Sequence, residues 1–389
     1  MSSIKRICIV TNAYPFNGNA LQPFVEQLVN TFIDMGVLCD VVVPRSLTNS
    51  LIRKSPLPPK VYRAVTYKNN EYNVYFPRYF TISASDGRLG RICERFNAAM
   101  FSRAAKKAVK RHQINCDLFY GHFFNPGGLA AAELSSIYNK PYFVACGENY
   151  LTSLNKMGSY WVKKKLEKIT GVVAVSTNNK NELMKCEYVN KEKVEVFVNA
   201  IDSNIFNQRN KSEMRRKYNV KEDAFVVCFV GRFVDVKGPK RLSNALSQIE
   251  SVHSVFLGTG SEYPDCDNIL FCGAVSHEQV PEYLSLSDLF VLPTLAEGCC
   301  NAIIEAMACG LPIVSSDLPF NDDILDDEYS IRVDPTNIEE IRSAIIYLME
   351  NNNIRIKMAA AAAAKATEFN LGKRAENILE FMESKIKNE

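Results

Sequence analysis

An α/β protein of two Rossmann-like β/α/β domains is what this 389-residue chain predicts, and three observations predict it. Short apolar runs alternate with stretches of helical period along the whole length, the pattern of parallel sheets covered by helices. Two segments, residues 6–18 and 224–238, begin alike with a buried-strand pattern, a polar turn and then a helical stretch. The charge balance also changes sign: residues 1–195 carry 27 Lys+Arg against 14 Asp+Glu, +13, whereas the remainder carries 19 against 29, −10. A chain of this length exceeds one typical core, so two domains are the natural division.

The elements follow in order. RICIVTNAYPFNG (residues 6–18) reads as an opening strand and turn, and PFVEQLVNTFIDMG (23–36) as an amphipathic helix. VLCDVVVP, CDLFYGH, PYFVAC, GVVAVS and KVEVFVN are the further strand runs of the first half. Residues 46–90, rich in proline, aromatics and arginine, break the pattern and are expected to form a loop or irregular excursion. Turn formers in VNAIDSNIFN (198–207) place the boundary there, giving domains 1–197 and 198–371. In the second half AFVVCFVGRFVDVKG opens a strand and PKRLSNALSQIE a helix; SVFLGTG, NILFCGAV, LFVLPT and LPIVSS supply the later strands. The alanine-rich end is helix-forming, and a final helix over about 372–389 is expected to pack back on the first domain.

Composition excludes several classes. Apolar residues make up 47% and charged residues 23%, a globular balance. No apolar run approaches the ~18 residues of a membrane span. Ile7 to Val10 is too short for the apolar region of a signal peptide, so a cytoplasmic location is expected. The 12 cysteines are scattered without a C-x-x-C pair, and Cys8, Cys39 and Cys228 lie in apolar strands, where free cysteine acts as a small hydrophobe. The four histidines, His112, His122, His253 and His277, show no metal-ligand spacing with them, and NDDILDDE (321–328) reads as a solvated acidic loop, so no metal is expected.

Two loops carry candidate chemistry. In GRFVDVKG (231–238), Arg232 and Lys237 follow a strand, at the carboxyl edge where α/β folds bind ligands. A guanidinium fork and an ammonium there can clamp a diphosphate, or else are two surface cations. In EGCCNAIIEAMACG (297–310), Glu297 and Gly298 lie in a turn and the helix begins near Asn301, whose side chain can cap it. A helix N-terminus presents unpaired amides and the positive end of its dipole, so a phosphate suits it. Glu305, one turn inside, can accept from a ribose diol and Glu297 from sugar hydroxyls. Carboxylates on both sides of a phosphate site suit a nucleotide sugar. Cys299 and Cys300 contribute backbone amides in this reading and not thiol chemistry.

GRFVDVKG, VFLGTG, FCGAV, SDLFVLPT and EGCCNAIIEAMACGLPIVSS, in this order, resemble glycosyltransferase family 4, the retaining GT-B enzymes. The family signature is a glutamate pair with seven residues between, continuing E-A-M/L-A-x-G-x-P-V; Glu297, Glu305 and AMACGLPIV match it, and the likeness is dense over about residues 171–335. The resemblance implies the GT-B fold, two Rossmann-like domains facing each other across a cleft. It implies a nucleotide-sugar donor as substrate, no cofactor, and a glycan or lipid-linked acceptor. Arg232 and Lys237 would hold the diphosphate and Glu305 the ribose. Glu297 and the backbone of Gly298, Cys299, Cys300 and Asn301 would engage sugar and phosphate, and Gly273 and Val275 would face the base. FYGHFFNPGGLAA (119–131) resembles the family's strand-end histidine and small-residue helix, so His122 would reach the donor sugar or reacting centre. Where the family often has a glycine pair this chain has only Gly18, and Gly18 and Asn19 are the candidates for that phosphate loop. ACGENY (145–150) replaces the family's H-G-x-D/E, and VNAID has Ala200 where glycine is common.

The positive half has two sources. GRLGRICERFNAAMFSRAAKKAVKRH (87–112) has apolar residues at helical spacing (Leu89, Ile92, Phe96, Met100, Val109) with cations between, and WVKKKLEK (161–168) adds a cluster beside the single Trp. A basic amphipathic surface suits an anionic membrane, and a core-packed helix with a solvated basic face produces the same pattern. No nucleic-acid module is present, so nucleic acid is not an expected partner. The resemblance therefore implies a metal-independent, retaining hexosyltransferase, expected to be cytoplasmic, with peripheral contact at the inner face of the membrane as one of the two readings of its basic surface. A nucleotide-sugar epimerase and a non-catalytic nucleotide-sugar sensor are the alternatives.

Overall fold

The computed structural model describes residues 3–16, 23–83, 87–148 and 151–388. The chain forms two compact units, one of residues 1–197 with 371–389 and one of residues 198–370. Each is built on its own sheet.

The first sheet has eight strands. From one edge they run Val194–Val196, Gly171–Ala174, Tyr142–Cys146, Leu118–His122, Arg6–Val10, Leu38–Val42, Glu71–Tyr75 and Val61–Val65. All pairings are parallel except the last, an antiparallel edge hairpin. Central strands such as RICIV and LFYGH are buried along nearly their whole length because helices cover both faces. The hairpin corrects the expectation of an irregular excursion at 46–90: that stretch holds a helix, Leu47–Arg53, and the two edge strands. Its signal was weak because Val61–Val65 buries a single side chain, Ala64.

The long helix Gly87–Arg111 also departs from a single core-facing stripe. Its second half buries Ala98, Phe101, Ala104, Ala105, Ala108 and Val109, whereas Leu89, Ile92 and Phe96 are 66%, 54% and 41% exposed. Twenty-five helical residues span about 37 Å, and the five-residue strands beneath it only about 17 Å. The first turns therefore overhang the sheet. The helix Leu371–Lys387 belongs to this unit, burying Ala375, Ile378, Leu379 and Met382 among Ile7, Val25, Phe32 and Phe143.

The second sheet is six-stranded and wholly parallel, ordered Ile269–Gly273, Val252–Leu257, Phe225–Val230, Leu289–Leu292, Ile313–Ser316 and Ser330–Val333. In chain order that is third, second, first, fourth, fifth, sixth, the doubly wound arrangement whose direction reverses between the first and fourth strands. The loops leaving those two strands meet at the reversal.

Candidate functional site

The loop after Phe225–Val230 is fixed before any functional side chain is placed. Gly231 N donates to Leu257 O (2.9 Å) and Phe233 N to Thr259 O (2.8 Å), extending the pairing past the strand. Gly258 and Gly260 permit this approach, since a Cβ on either would run into the carbonyl oxygen of Gly231 or Phe233. Fully buried Phe233 anchors the loop. One turn, Asp235–Lys237, follows, and Gly238 leaves it with φ 75°, where a Cβ would lie 2.5 Å from Pro293 O.

That turn is laced to the loop after the fourth strand: Leu295 N donates to Val236 O (2.7 Å) and Thr294 Oγ1 to the same oxygen (3.1 Å). The lacing brings Lys237 Nζ onto Glu297 Oε1, which also accepts from Thr294 Oγ1 at 3.4 Å. Glu297 is 9% exposed, so its charge is compensated by the lysine and not by water. Both contacts use Oε1.

The helix Asn301–Ala308 starts beside this pair. Cys300 is its cap residue, without a side-chain cap bond, and no acid occupies the first turn. This corrects the expected role of Asn301: it is already helical, and its Oδ1 accepts from Asn199 Nδ2 at 2.8 Å. The amide end is thus left without a competing side-chain acceptor from its cap. Cys300 is 3% exposed and its thiol is pushed well above its ordinary pKa by burial, which suits an inert packing role. Cys299 is half-buried and Gly298 is buried in the same turn.

Glu305 faces a residue that sequence reading passed over. His277 Nε2 lies 3.5 Å from Glu305 Oε1, and the imidazole stands edge-on to Phe206 at 4.9 Å. Burial lowers the His277 pKa, but the hydrogen bond and charge of Glu305, with Glu278 and Asp202 nearby, outweigh it and leave it raised. His277 follows the third strand's exit, where Gly273 and Val275 are half-buried. Arg232 is exposed at the first strand's exit and makes no ion pair among the described residues.

In the first unit His122 ends its strand beside Arg6–Val10, where that sheet also reverses direction. It is 7% exposed, ringed by Phe24, Tyr120 and Phe123 at 5.7, 6.3 and 4.9 Å, with Nδ1 unpartnered. Burial first, and the charge of Arg374 second, lower its pKa to about 3, so the ring is neutral. Phe123 takes φ 64°, unusual for a bulky residue, and the next amide, Phe124 N, donates to Glu148 Oε1 at 2.6 Å. Glu148, in the sequence ACGENY, also accepts from Gly147 N (3.2 Å), and burial raises its pKa to about 7. Gly18 and Asn19 lie outside the described residues.

Against this geometry stand the comparisons with known proteins. The family model described as Glycosyl transferases group 1 matches residues 210–365, the span holding the Lys237–Glu297 pair and Glu305. Residues 210–365 are thus a group 1 glycosyltransferase region, and the chain is a glycosyltransferase. The glycosyltransferase is 26% identical over 357 residues, 87% of its own length and 88% of the relative's, to TuaC of Bacillus subtilis (strain 168), named for a glycosyltransferase step of teichuronic acid biosynthesis. Two solved structures share the GT-B fold. Sucrose-phosphate synthase from Thermosynechococcus elongatus has a TM-score of 0.76 and 18% identity, covering 96% of this chain and 97% of that one. HepE of Anabaena in complex with UDP has a TM-score of 0.71 and 17% identity, covering 97% and 100%. At these identities the likeness speaks for the glycosyltransferase's fold alone.

Proposed function

We propose that this glycosyltransferase moves a hexose-type sugar, with retention of anomeric configuration, from a nucleoside diphosphate sugar to a hydroxyl of a glycan or lipid-linked acceptor. The observation that carries the reading is the second sheet's reversal point, where Lys237, Glu297 and an N-terminus free of side-chain caps come together one helical turn from Glu305.

In this reading the diphosphate lies over the amides of Gly298 to Asn301, with Lys237 and Arg232 stabilising the negative charge that grows as the glycosidic C–O bond breaks. Glu305 accepts from the ribose hydroxyls, Glu297 Oε2 from a sugar hydroxyl, and Gly273 and Val275 border the base. The acceptor oxygen bonds to the anomeric carbon on the face the phosphate leaves, and the departing phosphate oxygen takes the acceptor's proton. No protein base is then needed. Neutral His122 offers hydrogen bonding without a charge, which suits an uncharged sugar. The cations and helix amides perform the charge compensation that a metal would otherwise provide.

The first unit takes the acceptor side. Its cationic surface agrees with a cytoplasmic enzyme working peripherally at the inner face of a membrane, and no helix among the described residues is long and apolar enough to cross one. A thermal-shift screen against a panel of nucleotide sugars tests the reading. One donor should raise Tm with concentration as RT ln(1 + [L]/Kd), and transfer to acceptor should follow with that donor. A panel without a single stabilising nucleotide sugar overturns the proposal. Isomerisation of the donor alone, or binding without transfer to any acceptor, replaces it with an epimerase or a sensor.

A further inference from the structure

The overhanging first half of Gly87–Arg111 has neighbours with the same character. Ile82 N and O are both bonded to the Asn97 side chain (2.9 Å each), holding Phe80 and Ile82, 58% and 46% exposed, against that helix. Thr81 in turn bonds Ser46 (2.8 Å) and Thr48 (3.1 Å), which fixes the helix Leu47–Arg53 alongside; it carries Leu51 and Ile52 at 77% and 73% exposure. On the other flank Arg95 Nε donates to Met157 O (2.8 Å) and its guanidinium lies 5.1 Å over Trp161, joining the helix Ser159–Leu166 with its Lys163, Lys164 and Lys165. Hydrogen bonds and the Arg95–Trp161 contact thus join four stretches of sequence, residues 47–53, 80–82, 87–97 and 157–166, side by side.

Its chemistry is consistent throughout. Apolar side chains that the core does not use stand outward beside Arg88 and Arg91, both exposed and without an ion pair among the described residues. Isolated exposed apolar residues need no explanation, but a contiguous set does. Apolar tips among unpaired cations match the boundary between acyl chains and anionic headgroups, where the tips lose water and the cations meet phosphate. The surface also lies towards the carboxyl edge of the first sheet, because Tyr79 and Ile82, just past the carboxyl end of Glu71–Tyr75, respectively pack on Phe101 and bond Asn97 of this helix.

We propose that this surface, formed by Leu51, Ile52, Ile82, Leu89 and Ile92 with Arg88 and Arg91, docks the enzyme on an anionic lipid bilayer with its apolar tips inserted. The inference deepens the proposed function by naming the partner of the acceptor-side unit. It is tested without donor or acceptor, so its failure leaves the transferase reading standing, and loss of nucleotide-sugar binding leaves the docking untouched.

The experiment is co-sedimentation of the full chain with vesicles of phosphatidylglycerol and phosphatidylcholine, or of phosphatidylcholine alone, at low and high salt. Binding should be on the order of tenfold stronger to the anionic vesicles and should fall with salt. Leu89→Ser with Ile92→Ser should reduce it at least about tenfold, as should Arg88→Glu with Arg91→Glu. All four side chains are exposed, so Tm should stay unchanged. Absence of sedimentation, or equal sedimentation of the variants, overturns the proposal. So does concentration-dependent dimerisation abolished by the serine variants, which would make the surface an interface between copies.

Discussion

At the carboxyl edge of the first sheet, His122 is packed among Phe24, Tyr120 and Phe123 and held neutral, and Glu148 beside it has its pKa raised to about 7. At the corresponding edge of the second, Lys237 sits on Glu297 and His277 on Glu305, with the His277 pKa raised. Similar β/α units have thus produced one edge that suppresses charge and one that pairs it. A paired edge can exchange partners with an anionic ligand at little desolvation cost, because its charges are already partly removed from water. A neutral, aromatic edge suits hydroxyl-bearing, uncharged groups.

The comparison breaks most readily at Lys237. Lys237→Ala should abolish transfer, by about 10³-fold or more in kcat. Because it leaves Glu297 buried and unpaired, Lys237→Ala with Glu297→Gln should be made alongside; both proteins should fold by circular dichroism and both should be inactive. Near-wild-type turnover in either would remove the lysine from the site.

The next effect is smaller. Glu305→Ala should raise the donor KM about 10–100-fold, the loss of hydrogen bonds to a charged acceptor. Cys299→Ser and Cys300→Ser should leave KM within about threefold, since the reading uses the backbone amides of this turn and burial keeps the Cys300 thiol well above its ordinary pKa. Equal effects would mean that the thiols and not their amides matter.

Stability against pH separates the two histidines. His122 is lowered to about 3 in the fold and returns to about 6.5 on unfolding, so the unfolded chain takes up the extra proton. Stability should fall as pH drops from about 6.5 towards 3, by about 2 kcal/mol at pH 5 relative to pH 8. His122→Gln should flatten this part of the Tm profile. His277 has the opposite sign: its pair with Glu305 contributes fully below the unfolded pKa and is lost as pH rises through the raised folded value. His277→Gln should therefore lower Tm at pH 6 and change it little at pH 9, by the smallest margin of the set because the pair is partly solvated. Slopes of the same sign would erase the contrast between the two edges.

Much of this was legible in the sequence because it is local. The strands declare themselves by apolar runs, Lys237 and Glu297 by their place in the loops after strand ends, and Glu305 by its place one turn into the helix that follows. What was not legible depends on contacts distant in sequence. His277 and Glu305 are 28 positions apart on different elements, and no spacing rule joins them. Asn301 looked like a cap because asparagine often is one, but Asn199, 102 positions away, claims its oxygen. The edge hairpin Val61–Val65 with Glu71–Tyr75 was hidden because an edge strand buries too few side chains to show alternation. In Gly87–Arg111 a continuous apolar period concealed that only half of the helix lies over the sheet, a matter of its length relative to the strands.

The position of Leu371–Lys387 bears on how the protein is made. The groove it fills is lined by Phe143, Phe197 and Val25, all present in the first 197 residues, yet Phe381 and Met382 leave the ribosome only after the whole second unit. At common rates of synthesis that interval is about 10–35 s. Throughout it the first unit must wait with an apolar groove open to water and to chaperones, while the second, contiguous in sequence, can close its core as it emerges.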